Sequence, residues 1–281
     1  MKKKLLIIAS VFVLIFSSTG CSKKIKEYNI DDLLKKYSKT EKSIEKETEY
    51  WSDDEKQSKK YVNVVKKYAE KNGFELNQKV IVRGKLESIL GGSIFMATGS
   101  EDSDSFMCSF EKNILPTKTA LLKPGENISV EGTLFPSGAK KGKPFVSIYF
   151  SDCKIKSPSL KNVEFEDNIS EIITEEYSQD RIMGTVSSVI KIPETVEARQ
   201  EMLDNYDSSV SGEYNFVSAY RYATHSVNFD LGNNKYLMCF VNEKNCNLPE
   251  AGDNVSLIGE HFTYSDNECV DANDSPIYIF K

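Results

Sequence analysis

The sequence predicts a mainly β protein with an N-terminal helical segment and two small five-stranded barrels in tandem. Three observations predict it. The apolar pattern changes from a helical period to a period of two after Leu76. Short alternating runs then follow one another, separated by Gly- and Ser-rich turns. Finally, a series of segments in residues 76–158 returns in the same order in residues 179–281.

The elements follow in order. In residues 21–75, SDDE at 52–55 has the form of a capping box, in which Ser52 accepts from the amide of Glu55 and Glu55 reaches back. Tyr61, Val64, Val65 and Tyr68 then make one apolar stripe, which Asn72-Gly73 ends. Ile30–Tyr37 is a weaker helical stretch, and Glu41–Glu49 is charged enough to be a solvated stalk. This part therefore reads as a Lys/Glu-rich helical spacer, with Trp51 packing the helix start against the body. In the first barrel the expected strands are 80–89, 93–98, 105–110, 127–135 and 144–150.

Residues 159–178 form an acidic connector, with a short helical stretch at SEIITEEY. The second barrel, 179–281, repeats the first. GENISVEGTLF (125–135) answers GDNVSLIGEHF (252–262), with both glycines, the Asn, the Ser and the Phe in register. FMCSFEKN matches LMCFVNEKN up to one residue, and VRGKLESI matches IMGTVSSV. PIYIF, at 276–280, stands where FVSIYF stands in the first copy. An insertion at 193–224 adds a Pro-started helical stretch and a Tyr-rich one, leaving the barrel intact and changing one rim.

The strand order, the long third-to-fourth connection and the repeated glycine strand resemble an OB-fold. Both halves are similar to the tRNA-anti-like OB family of bacterial exported and lipoprotein sequences. Val82, Gly84, Cys108, Phe110, Gly125, Gly132 and Cys153 carry the likeness in the first copy. Gly184, Cys239, Gly252 and Gly259 carry it in the second. These positions are structural, and function does not follow from such a fold.

The first residues, MKKK, precede an uncharged run from Leu5 to Phe16 and the small residues Ser17 to Gly20, the layout of a secretory signal. That run is too short to span a bilayer. With Thr19, Gly20 and Cys21 the stretch resembles a bacterial lipoprotein signal. The resemblance implies cleavage after residue 20 and a diacylglyceryl thioether on Cys21. A two-chain lipid makes attachment stable. The expected location is the extracytoplasmic face of the cell membrane.

Charge divides the chain. Residues 22–158 hold 25 Lys+Arg against 20 Asp+Glu, whereas residues 159–281 hold 8 against 22. The acidic second half would repel a phosphate backbone and suits cations or a basic partner. The first barrel has a basic loop with Lys140, Lys141 and Lys143, near Phe135, Phe145 and Tyr149 in sequence. That is the kind of loop with which such barrels hold single strands. Its small charge surplus and extracytoplasmic setting argue against nucleic acid as the partner.

The cysteines outside the signal leave two readings open. Cys108 with Cys153, and Cys246 with Cys269, are candidate disulfides in an oxidising compartment. Equally, they are buried thiols packing as small hydrophobes. Cys239, Cys246, Cys269 and His261 lack the close pairs of a structural zinc site, so no metal is expected. The two histidines, His225 and His261, accompany no nucleophile elbow. No catalytic residue and no cofactor are expected. Tyr214, Phe216, Tyr220 and Tyr222 of the insertion form, with Lys140, Lys141 and Lys143, the candidate ligand rim. The expected role is a non-catalytic binding or interaction module with a protein or glycan partner at the cell surface. An oligonucleotide- or glycan-binding lipoprotein is the alternative.

Overall fold

The computed structural model describes residues 25–52, 55, 59–73, 76–97, 106–111, 114–136, 148–172, 179–193, 213–264 and 267–281. Cys21, Lys140, Lys141 and Lys143 lie outside them. The protein is mainly β, with two sheets that each curl into a barrel-like body and an N-terminal helical pair. Among the described residues no helix is long and apolar enough to cross a membrane.

The first body is built on β2 (Lys79–Leu90), which turns through Gly91 and Gly92 into β3 (Ser93–Ala97). β3 pairs with β4 (Phe106–Ser109), and β4 runs parallel to β6 (Ile148–Ser157), with Cys108 opposite Phe150. β6 pairs with β5 (Asn127–Pro136), and β5 returns to β2, closing the ring. Alternation on β2 buries Val80, Val82 and Leu86; an irregularity between Leu86 and Ser88 then shifts the phase, so that Ile89 is the next residue buried. These side chains meet Ile94, Met96, Ile128, Val130, Leu134 and Phe150 in one core. The last strand differs from expectation: it runs to Ser157 and contains Cys153 rather than ending before it.

The second body follows the same path. β7 (Gln179–Thr185) and β8 (Ser188–Lys191) are two halves of a first strand broken at Val186 and Ser187. β8 pairs with β9 (His225–Gly232), which turns at Asn233 and Asn234 into β10 (Lys235–Val241). Both asparagines have positive φ, as a two-residue hairpin turn requires. β10 runs parallel to β12 (Asn267–Asp271), β12 pairs with β11 (Asn254–Tyr264), and β11 pairs with β7. The repeat holds at the level of register: Gly84 faces Ile128 in one body and Gly184 faces Val255 in the other. One expected match fails. The fifth strand is β12, with Cys239 opposite Val270, and PIYIF supplies only β13 (Tyr278–Ile279) beside Val255 and Ser256.

The expected spacer is part of the first body. β1 (Lys26–Asn29) adds a parallel strand to β2, with Lys26 opposite Val80. Asn29 caps α1 (Ile30–Thr48) by accepting from the amide of Asp31, and Ile30 and Leu33 enter the barrel core. The stretch expected as a solvated stalk is the second half of α1, where Ile44 and Thr48 are buried. The capping box forms: Ser52 and Glu55 exchange bonds of 3.0 and 3.3 Å. α2 (Lys59–Lys71) then folds back on α1, burying Tyr61, Val64 and Val65 against Ile44. Trp51 packs edge-on to Tyr61 in this hairpin rather than against the barrel.

A second correspondence, in the connector, has no counterpart in the expected repeat. Asn168 binds the backbone of Arg181 and Met183 beside β7, much as β1 lies beside β2. Ile169, the first residue of the short helix α3 (Ile169–Ile172), covers Gly184, as Ile30, the first residue of α1, covers Gly84. Asn-Ile therefore opens both copies.

Candidate functional site

The insertion places α4 (Glu213–Tyr222) on the outside of the second barrel. There it seals one half of a sheet face. Ala219 and Ala223 are fully buried against Phe240, Phe262 and Cys269, and Ile192 joins them. Phe216 stacks on Tyr264 with centroids 4.1 Å apart, lies 5.7 Å from Tyr220, and meets Phe240 edge-on. The strands β10, β11 and β12 are thus buried on both faces, which explains why they lack clean alternation.

The candidate rim therefore separates. Phe216 and Tyr220 belong to this small outer core, where each remains partly exposed. Tyr222, on the last turn, is 59% exposed. Of Tyr214 only its helical backbone is described. The lysines of the basic loop lie outside the described residues, so they are not brought to any site.

The adjoining half of the same face carries a buried polar pair, Ser226 and Asn228, with exposed side chains flanking it. The register puts Ile190, Ser226 and Phe240 in one row, Ser188, Asn228 and Met238 in the next, and Asp230 with Tyr236 after that. Phe240 is under α4, while Ile190 is 56% and Tyr236 45% exposed. Between them Ser226 donates to Asn228 at 2.6 Å, and the Asn228 amide donates to Ser188 at 3.1 Å. These bonds lock the polar floor, so that the aliphatic and aromatic groups above it stand on a rigid sheet. Neither Ile190 nor Tyr236 was singled out from the sequence. The signal was there: each occupies an outward position of a strand whose inward neighbours are Val189 and Leu237.

A second concave feature lies between the two bodies, a small cleft of about 70 Å³. Ile89 and Leu90 of β2 form one wall; Ile258, Glu260, Asp271 and Asp274 form the other. Glu260 and Asp271 are directly opposed across β11 and β12. Burial, then the Asp271 charge, pushes the Glu260 carboxyl above its usual range. Burial also raises Asp271, against bonds from Asn273 that lower it, with Asp274 adding to the rise.

The cysteines are free thiols: Cys108, Cys153, Cys239, Cys246 and Cys269. Cys108 and Cys153 are neighbours in the first core, as their strands bring them together, but they are not bonded. The pairing of Cys246 with Cys269 is corrected. Cys246 packs on the inner core of the second barrel and donates to the Asn242 carbonyl, whereas Cys269 faces the outer core under α4. Burial pushes both thiols up to about 12. His261 is buried and bonded through Nε2 to Glu268 at 2.7 Å; His225 meets Thr224 at 3.0 Å. Among the described residues no group of acidic, His or Cys side chains could hold a metal ion.

No family model matches the chain, and no curated protein matches it. Solved structures with some likeness include the HINa domain of Ifi202 in complex with 20 bp double-stranded DNA, at 10% identity and TM-score 0.29, covering 73% of this chain and 97% of that one. The HINb domain of p204 is similar at 9% identity and TM-score 0.29, covering 73% and 96%. At such scores these likenesses carry no argument about what this chain binds.

Proposed function

We propose that the chain is a non-catalytic interaction module, two OB-like barrels held at the extracytoplasmic face of a membrane by lipid on Cys21. The observation that supports it best is the half-sealed sheet face of the second barrel. α4 covers Phe240 and its neighbours, while Ile190, Tyr236 and Tyr222 are exposed and Ser226 and Asn228, buried on the same sheet face, are fixed by hydrogen bonds. Exposed aromatic groups on a rigid support are the usual anchors of a recognition surface. The acidic balance of this half favours a partner carrying basic groups.

The test is site-specific photocrosslinking in intact cells. A photoreactive residue at Tyr236 is expected to trap one discrete adduct, and the same residue at Lys154, on the first barrel, is not. Adduct formation should fall at least about tenfold when Tyr222 and Ile190 are changed to Ala, the loss expected of a two-residue anchor. Equal trapping at both positions, or none, would sink the reading. A fluorescent single strand bound by the folded chain, and released by reversing Lys140, Lys141 and Lys143, would establish the oligonucleotide alternative instead.

A further inference from the structure

The structure changes what an anchor at Cys21 would mean. The helical hairpin is docked onto the first barrel, so it holds nothing at a distance. The described chain begins at Ile25, and Lys26 is already paired in the barrel sheet. Only Ser22, Lys23, Lys24 and Ile25 intervene between Cys21 and Lys26. Fully extended, those five steps reach at most about 18 Å. A lipid on Cys21 therefore brings the β1 end of the first barrel down onto the headgroups.

That end is basic. The Lys26 and Lys36 ammonium groups converge on one acceptor, the Gly73 carbonyl, at 2.8 and 3.4 Å. Both also lie over the Tyr28 ring, 5.3 and 5.2 Å from its centre. Lys71 stands at the end of α2, two residues before that carbonyl, and Lys79 immediately precedes the partner of Lys26. All but Lys36 are exposed. Glu27, the acid beside Lys26, is paired with Arg83 at 2.6 Å. Among the described residues, Glu70 on the last turn of α2 and Asp32, four residues before Lys36, are acids near these four lysines in sequence. Lys23 and Lys24 of the tether add to the surplus.

We infer that this end of the first barrel is a docking face for an anionic lipid surface, with Lys26, Lys36, Lys71 and Lys79 against the headgroups. The inference rests on the lipid-anchor reading for the tether, and on charge for the surface. A lysine close to an anionic leaflet gains from its negative surface potential, and the gain decays within a Debye length. A tether of this reach holds the lysines inside that zone. The exposed side chains of the second barrel are then presented by a body lying on the membrane and not by one standing off on a stalk.

The test uses the chain from residue 21 onward carrying Cys21→Ser, so that no lipid contributes. It is sedimented with vesicles of phosphatidylcholine alone, and with vesicles containing about 30% phosphatidylglycerol, a typical anionic surface. Binding is expected on the anionic vesicles only, weakening as salt rises. The fourfold variant Lys26→Gln, Lys36→Gln, Lys71→Gln, Lys79→Gln should lose it about a thousandfold. A control that neutralises Lys118, Lys123, Lys154 and Lys161, exposed elsewhere on the first body, should keep it. Should the fourfold variant unfold, the exposed pair Lys71→Gln, Lys79→Gln is expected to show about a thirtyfold loss. Equal binding to neutral vesicles, or no loss in these variants, overturns the docking face. The intact mass of the native protein judges the anchor separately: an unmodified Cys21 with anionic binding retained defeats the lipid reading and leaves the surface standing.

Discussion

Two glycines in each barrel do the same physical work at matching places. Gly125 and Gly252 have φ of +83° and +94°, in the left-handed region where a side chain is strained. Gly132 and Gly259 are needed for want of space. A Cβ on Gly132 would lie 2.9 Å from Cys153 Sγ and from the Phe150 ring; one on Gly259 would lie 2.7 Å from the Asp271 backbone oxygen. A side-chain obstacle can move and a backbone oxygen cannot. Gly132→Ala is therefore expected to cost about 1–2 kcal/mol and Gly259→Ala more, about 3 kcal/mol, by thermal or urea unfolding. Equal costs would show that β12 can shift away from β11. The cysteines make a similar point: their strands bring Cys108 and Cys153 together, yet neighbouring strands do not by themselves make a bond.

At the scale of the element, α4 shows how an insertion becomes structure. Its aromatic residues are spaced so that Phe216 and Tyr220, four apart, share the face turned to the sheet, while Tyr222 leaves it. Phe216→Ala should destabilise the protein by about 2–3 kcal/mol, the value for an aromatic that is largely but not wholly enclosed. Tyr222→Ala should stay within about 0.5 kcal/mol. Unfolding curves for the two variants check this contrast, and a large loss in Tyr222→Ala would mean that it is packed and not presented. The N-terminal hairpin is the converse case. Its charged composition, 16 Lys, Asp and Glu in residues 26–55, suggested a stalk. A narrow stripe (Ile30, Leu33, Ile44) was enough to dock it, because a helix needs only one apolar face to be held.

For the whole molecule, the two barrels meet through groups that imitate a strand. The Gln179 side chain accepts from the Ile89 amide at 2.8 Å and donates to the Ile89 carbonyl at 3.0 Å. Ser256 donates to the Ala120 carbonyl at 2.6 Å, Arg181 to that of Leu121 at 3.0 Å, and Ile258 joins the first core. The opposed Glu260 and Asp271 lie at this junction. Their folded-state values are raised, so the folded protein keeps protons that the unfolded chain releases. Their favourable contribution is full below the ordinary carboxylate range and is lost as pH rises through the folded values. Glu47 and Glu55 are lowered, by Lys67 and Ser52, and act in the opposite sense, so the difference between variants is the informative quantity. Glu260→Gln is expected to raise the Tm at pH 7 by about 1–3 °C, corresponding to relief of one like-charge pair. The gain should shrink as pH falls toward 5. A gain that is the same at both pH values would remove the carboxylate pair from the account of stability.

The sequence by itself determined the β class and the tandem repeat, because alternation and turn glycines are local signals. It also determined the capping box at Ser52 and Glu55, whose partners lie three residues apart. The face that each element buries was decided only by tertiary structure. Ile30 and Leu33 looked like part of a spacer until β1 paired with β2 and carried them onto the barrel. Phe216 and Tyr220 looked like a free rim, and only the docking of α4 over Phe240 shows that they also pack. PIYIF looked like a fifth strand, yet ECVD took that position, since either could alternate and only pairing to β10 distinguishes them. The exposure of Ile190 and Tyr236 was hidden for the same reason: it is a property of what fails to pack on a strand, and no stretch of sequence carries that alone.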